Sequence, residues 1–192
     1  MLIKLLSDAD KHHLLDLAKL LAIADKPLLW DGKRADELTS GTNLDALTIE
    51  EGEQEREVIA DLEHSVGKRP SLADFMEFFG DEINVKARLI EALKKYPVPK
   101  AGNPETRVLA ATSVLKEIIK GKSFELPSAP KVILFELLLV SLRDGHISSI
   151  EWALLKEFQQ HHRLEDFIFD DLLERAETLN REVSKTISII LE

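Results

Sequence analysis

The sequence predicts an all-α protein, a bundle of about eight helices, and three observations predict it. Apolar residues recur at helical spacing along most of the chain, no stretch sustains strand alternation, and capping signals open the periodic segments. Leu14, Leu17, Leu21 and Ala24 follow the i, i+3, i+7 pattern, as do Ile83, Ala87, Ile90 and Leu93, and Val108, Ala111, Leu115 and Ile118. Ser7 with Asp10, Thr48 with Glu51, Ser71 with Asp74, and Ser148 with Glu151 each put an acid three residues past a hydroxyl, the spacing that satisfies the first free N–H groups of a helix. Asn103 before Pro104 sets a capping side chain ahead of a residue suited to the first helical position. The expected helices lie near 8–25, 48–66, 71–79, 82–96, 104–120, 128–143, 148–161 and 164–190, the last open to a break near Asn180. Residues 132–142 form the most apolar segment. They span about half of a bilayer crossing and include Glu136, so they read as a helix buried at the centre of the bundle.

Composition narrows the function classes. The 192 residues carry a net charge of −10, which disfavours contact with phosphate backbones and anionic membranes. Acid is concentrated: residues 50–63 hold seven carboxylates and residues 165–177 hold six, each run with one arginine. Such runs are usually solvated helix faces. There is no cysteine, hence no disulfide framework, thiolate metal site or Cys nucleophile, in keeping with a cytoplasmic protein. The apolar stretch at the start is too short, and too closely followed by acid, for a signal peptide. These features predict no nucleic-acid binding and no membrane insertion.

One domain is expected, with halves of about 1–96 and 104–192 separated by the Pro97-Val98-Pro99 and Gly102-Asn103-Pro104 breaks. The halves align without gaps over residues 14–25 and 133–144, from Leu14 on Ile133 to Asp25 on Asp144. Leu47-Thr48-Ile49-Glu50-Glu51 then matches Ile147-Ser148-Ser149-Ile150-Glu151, and Leu72-Ala73-Asp74-Phe75 matches Leu164-Glu165-Asp166-Phe167. Asp25 lies 22 positions before Leu47 and Asp144 three before Ile147, so the first copy carries 19 extra residues, an insertion near 26–46. A shared acid and a shared cap favour internal duplication over chance likeness of two amphipathic helices.

The Asp144-Gly145-His146-Ile147-Ser148-Ser149-Ile150-Glu151 corner has a purely structural explanation. Gly145 permits a positive φ where one helix stops, and Asp144 can fold onto backbone N–H groups of the turn. Ile147 can staple onto the next helix, while Ser148 and Glu151 exchange capping bonds. An apolar helix ending in Asp-Gly, then Ile-Ser-x-x-Glu opening another, also resembles the TerB-like family of tellurite-resistance proteins, best over residues 132–173 and less well over 14–79. The resemblance implies an all-helical fold with two similar halves and an association with chemical-stress and phage-defence systems. It also implies suspected metal binding through Asp144 and Glu151 in the second half and Asp25 and Glu51 in the first. Lys26 stands where that family usually has Gly.

Other constellations fail on residue type. Read as an EF-hand, the corner puts Val140 and Leu142 where oxygen ligands belong. A di-iron bundle needs Glu-x-x-His, which does not occur; Asp10 with His13 and Asp61 with His64 read as surface pairs. Gly121-Lys122-Ser123 lacks the upstream glycine of a phosphate loop, and no Gly-x-Ser-x-Gly elbow is present. Phe75, Phe78, Phe79, Phe167 and Phe169 read as core. Trp30, inside the insertion, is either tucked onto the bundle or an anchor for a partner. The expected function is therefore a non-enzymatic, cytoplasmic, stress-associated module that binds protein partners, with a homodimer open. The alternative is a protein that binds Ca²⁺, Mg²⁺ or Mn²⁺ through Asp25, Glu51, Asp144 and Glu151, the carboxylate set that suits hard cations. A hydrolase with metal-activated water ranks third, for want of a general base.

Overall fold

The computed structural model describes residues 2–67 and 84–191. The expected start at Ser71, the helix near 71–79 and the core phenylalanines Phe75, Phe78 and Phe79 lie outside them. Among the described residues the chain forms α1 (Asp8–Ala24), α2 (Glu53–Val66), α3 (Val85–Lys94), α4 (Val98–Ala101), α5 (Pro104–Ile119), α6 (Ala129–Ser141), α7 (Ser149–His161) and α8 (Asp166–Leu191). Two short strands, β1 (Leu28–Trp30) and β2 (Leu47–Ile49), and two 3-10 turns complete it. The protein is an all-α helical bundle, and none of these helices is long and apolar enough to cross a membrane.

Helix α1 is the axis of the bundle. Ser7 Oγ accepts the Asp10 N–H at 3.2 Å, the cap expected from sequence. Thirteen of the 17 residues of α1 are buried, because α2, α3, α5, α6 and α7 all pack against it. Asp10 and His13, expected as a surface pair, are among the buried ones: Lys122 reaches Asp10 at 2.8 Å, and the His13 ring meets Phe124 edge-on. Apolar α6 lies against α1, α7 and α8, as its composition requires, with Ile133, Leu134 and Leu138 completely enclosed. Glu136 is enclosed with them. One of its oxygens accepts the Leu2 N–H and the other has no partner, and burial raises its pKa.

The structure corrects the sequence reading in the insertion. Residues 28–30 and 47–49 pair antiparallel, Leu28 with Ile49 and Trp30 with Leu47. Thr48 therefore sits in a strand and caps nothing; α2 begins at Glu53, with Gly52 as its N-cap. At Asp31-Gly32 both residues take positive φ (53° and 75°), and Trp30 and Lys33 exchange backbone bonds of 2.8 and 3.0 Å. Asp-Gly favours this reversal because its twist matches that of the flanking strands. Leu28, Trp30, Leu47 and Ile49 face inward, and Leu29 and Thr48 face out or halfway.

Helix α8 runs 26 residues, about 39 Å at 1.5 Å per residue, with no break at Asn180. Its first half packs on α6: Phe169 and Ala176 are fully buried, and Asn180 Nδ2 donates to the Leu142 carbonyl at 2.8 Å. Phe167, expected in the core, is 57% exposed, because two residues along a helix is over half a turn away from Phe169. From Arg181 to Leu191 every residue is exposed.

Candidate functional site

The second corner is built as its sequence specifies. Gly145 takes φ of 92° after α6, and Asp144 Oδ1 accepts the His146 N–H at 3.4 Å. Ser148 Oγ accepts the Glu151 N–H at 3.3 Å, and Glu151 Oε2 accepts the Ser148 N–H at 2.8 Å. Both first-turn donors are thus satisfied by one reciprocal pair. Glu151 is 8% exposed. Burial raises its pKa, opposed by the Ser148 bonds and assisted by the negative charge of Asp25. The Ser141 hydroxyl faces the same carboxyl without closing a bond of ordinary geometry.

The first corner has different parts. Asp25 is the C-cap of α1, and Arg107 of α5 closes the helix end. Its guanidinium donates to the carbonyls of Ala24 (2.9 Å from Nε), Lys26 (2.8 Å from Nη1) and Ile23 (3.1 Å from Nη2); a helix C-terminus leaves its last carbonyls unpaired, and that of Ile23 also accepts the Lys26 N–H at 3.4 Å. Burial lowers the Arg107 pKa to about 10, against the opposing pull of Asp25. The Lys26 ammonium lies 2.5 Å from Glu55 Oε1 and 3.5 Å from Asp25 Oδ1. Burial works to lower its pKa, but the Glu55 bond and the two carboxylate charges prevail and raise it. Burial likewise works to raise that of Glu55, and the Lys26 bond with its own backbone N–H brings it below the ordinary value. Gly52 makes this possible: a Cβ there would lie 1.9 Å from Glu55 Oε2.

Because α1 packs on α6, the two corners meet. Lys26 and Glu55 from the first, and Ser141, Asp144 and Glu151 from the second, line a cavity of about 30 Å³. Of the four acids expected at a site, Asp144 and Glu151 share this junction, and Asp25 is near enough for its charge to act on Glu151. Glu51 does not join them. It pairs with Lys86 at 2.5 Å on the side of α1 facing α3, and Glu55 takes the place expected for it. The reason is the later start of α2, which carries the acid run one turn on. Among the described residues no three acids or histidines converge to hold one ion. The junction as built joins two helix ends through an ammonium placed among carboxylates.

Trp30 resolves in favour of tucking. Its indole is 3% exposed, within the core cluster, and presents no face to a partner. Burying an indole removes roughly 200 Å² from water, about 5 kcal/mol by transfer, which explains how a long insertion stays pinned to the bundle.

A second feature lies on α8. Leu179, Val183, Ile187, Ile190 and Leu191 lie along one stripe of the helix with exposures of 43, 48, 50, 74 and 80%. Arg181, Glu182 and Lys185 occupy the opposite side, with Lys185 and Glu182 paired at 2.7 Å. The stripe prolongs the face that Phe169 and Ala176 bury against the body.

No protein-family model, curated protein or solved structure matches this chain.

The sequence reading missed three participants. Arg107 and Glu55 carry no local signal, since their partners lie on other elements. The cluster of His13, Phe124 and His162 was hinted at only by its paired histidines: the Phe124 ring stands edge-on to both imidazoles, at 5.7 and 5.1 Å between centroids.

Proposed function

We propose that this chain is a non-enzymatic TerB-like module of the cytoplasm that works by binding a protein partner, with the outer half of α8 as its binding surface. The observation that carries this reading is the exposed apolar stripe from Leu179 to Leu191, on a helix whose inner half packs on α6 and buries Phe169 and Ala176. Apolar area of this kind, rimmed by polar groups, is the usual mark of an interaction surface. The corner carboxylates support the non-enzymatic part, since capping, ion pairing and turn closure account for their contacts. The family assignment rests on the resemblance of the second corner and on the helical fold.

The test is capture by the immobilised chain, compared with Val183→Glu/Ile187→Glu. A partner retained by the first and lost by the second supports the reading; capture unaffected by the double substitution, or none, removes it.

One observation favours the second reading, divalent-cation binding: Asp144 and Glu151 line the same junction, and the charge of Asp25 acts on Glu151. The residues present fit it poorly, because Lys26 already supplies the positive charge and Glu151 is engaged as a cap. Calorimetric titration with Ca²⁺, Mg²⁺ or Mn²⁺ decides: saturable heat abolished by Asp144→Asn would revive it.

A further inference from the structure

We infer that the occupant of the α8 stripe is a second copy of this chain, joined helix to helix along Val183, Ile187 and Ile190. The inference rests on the reading of α8 as an interaction surface and adds the partner's identity.

Periodicity points to a helix. Ala176, Asn180, Val183, Ile187 and Ile190 are spaced alternately four and three residues apart. This is the repeat by which one helix packs along another. Over Phe169, Leu173 and Ala176 the same repeat is already met by the bundle, where α8 packs on α6 and the Phe169 ring stands edge-on to Trp152 of α7. Beyond Asn180, α6 has ended and the repeat continues with no partner among the described residues. What fits it is another helix with the same apolar spacing.

Charge points to an identical helix. The positions flanking the seam from Leu179 onward are Leu179, Ser184, Thr186 and Leu191, none of them charged. A basic or acidic partner would find nothing on this face to select it, whereas two identical faces meet no like charge. The outer segment also escapes the acidity of the rest: residues 181–191 hold Arg181 and Lys185 against Glu182, while the whole chain stands at −10. Antiparallel pairing about the middle of the segment sets Val183 against Ile187 of the other copy. It also places the two acidic bundles at opposite ends, separated by more than the ~8 Å over which charge acts at physiological salt.

Area sets the strength. Five apolar side chains between 43 and 80% exposed offer less than the ~800 Å² per partner found in a standard interface, so the dimer is weak and forms with concentration.

Sedimentation velocity of the 192-residue chain between about 1 and 200 µM tests this at the concentrations where so small an interface associates. The expected result is a shift from monomer to dimer, abolished by Ile187→Glu and weakened by Val183→Ser, with Leu109→Glu, at an exposed leucine of α5, without effect. Since the chain has no cysteine, Val183→Cys mixed with Ile187→Cys should give an oxidised heterodimer, and Val183→Cys alone should not. A dimer indifferent to Ile187→Glu, or a monomer at the highest concentration, overturns the inference. In the monomeric case, a protein captured by the wild-type chain and not by Ile187→Glu leaves the surface reading standing with a different occupant. Capture by neither removes both.

Discussion

Arg107 and Lys26, 81 positions apart, are joined by a 2.8 Å bond from the guanidinium of one to the backbone carbonyl of the other. With its bonds to Ile23 and Ala24, Arg107 closes the end of the central helix from a neighbouring one. Removing it strands the buried Ala24 carbonyl and the part-buried Lys26 carbonyl. Arg107→Ala should cost about 3–4 kcal/mol in urea unfolding, the scale of a buried charged group's lost bonds. Arg107→Lys should recover only a minor part, because an ammonium cannot fork across three carbonyls. A loss below about 1 kcal/mol for Arg107→Ala would contradict the capping role.

The Lys26–Glu55 pair should show measurable coupling. Both side chains are about four-fifths buried, so screening reduces the pair less than a surface bridge. A double-mutant cycle with Lys26→Met and Glu55→Gln should give a coupling of about 1 kcal/mol. Gly52→Ala should abolish most of that coupling by displacing the Glu55 carboxylate. A cycle closing at zero would reduce the pair to a geometric coincidence.

Acid sensitivity follows from the buried imidazoles. Burial, chiefly, lowers His13 and His162 to about 4, with Lys122 and His162 adding for the first and His161 for the second. Between about 4 and 6.5 the unfolded chain binds protons that the folded one refuses. Stability from these groups is therefore complete above pH 6.5 and lost as pH falls towards 4. At about 1.4 kcal/mol per unit, His13 accounts for roughly 3 kcal/mol and the half-buried His162 for less. The raised carboxyls of Glu136 and Glu151 act in the opposite sense, so the comparison must be differential. His13→Phe/His162→Phe should lose less stability than the parent between pH 6.5 and 4, and parallel curves would refute the assignment.

What was legible in the sequence was what local chemistry decides. Ser7, Ser148 and Gly145 announced their turns because each satisfies backbone groups within three residues. Thr48 gave the same signal and misled, since pairing with Leu29 on a distant strand outweighs a local cap. That error moved the start of α2 and with it the choice of Glu51 over Glu55. The Asp31-Gly32 reversal was missed, since the pair was read only as part of a non-periodic insertion. Arg107 was not readable, because its meaning lies in the carbonyls of another helix. Trp30 announced a need for cover, and only the fold could say that the cover is the core itself.

The claim on which the functional account depends is that the outer half of α8 is uncovered by its own chain. Hydrogen exchange of the backbone amides across 166–191, in protein dilute enough to be monomeric, tests it most directly. Strong protection through Ala176, falling away within a turn or so of Asn180, is the predicted profile, because the outer half has only its own helical bonds to slow exchange. Protection at core level through Ile190 in the monomer would mean that the chain covers the stripe itself, and would contradict the account.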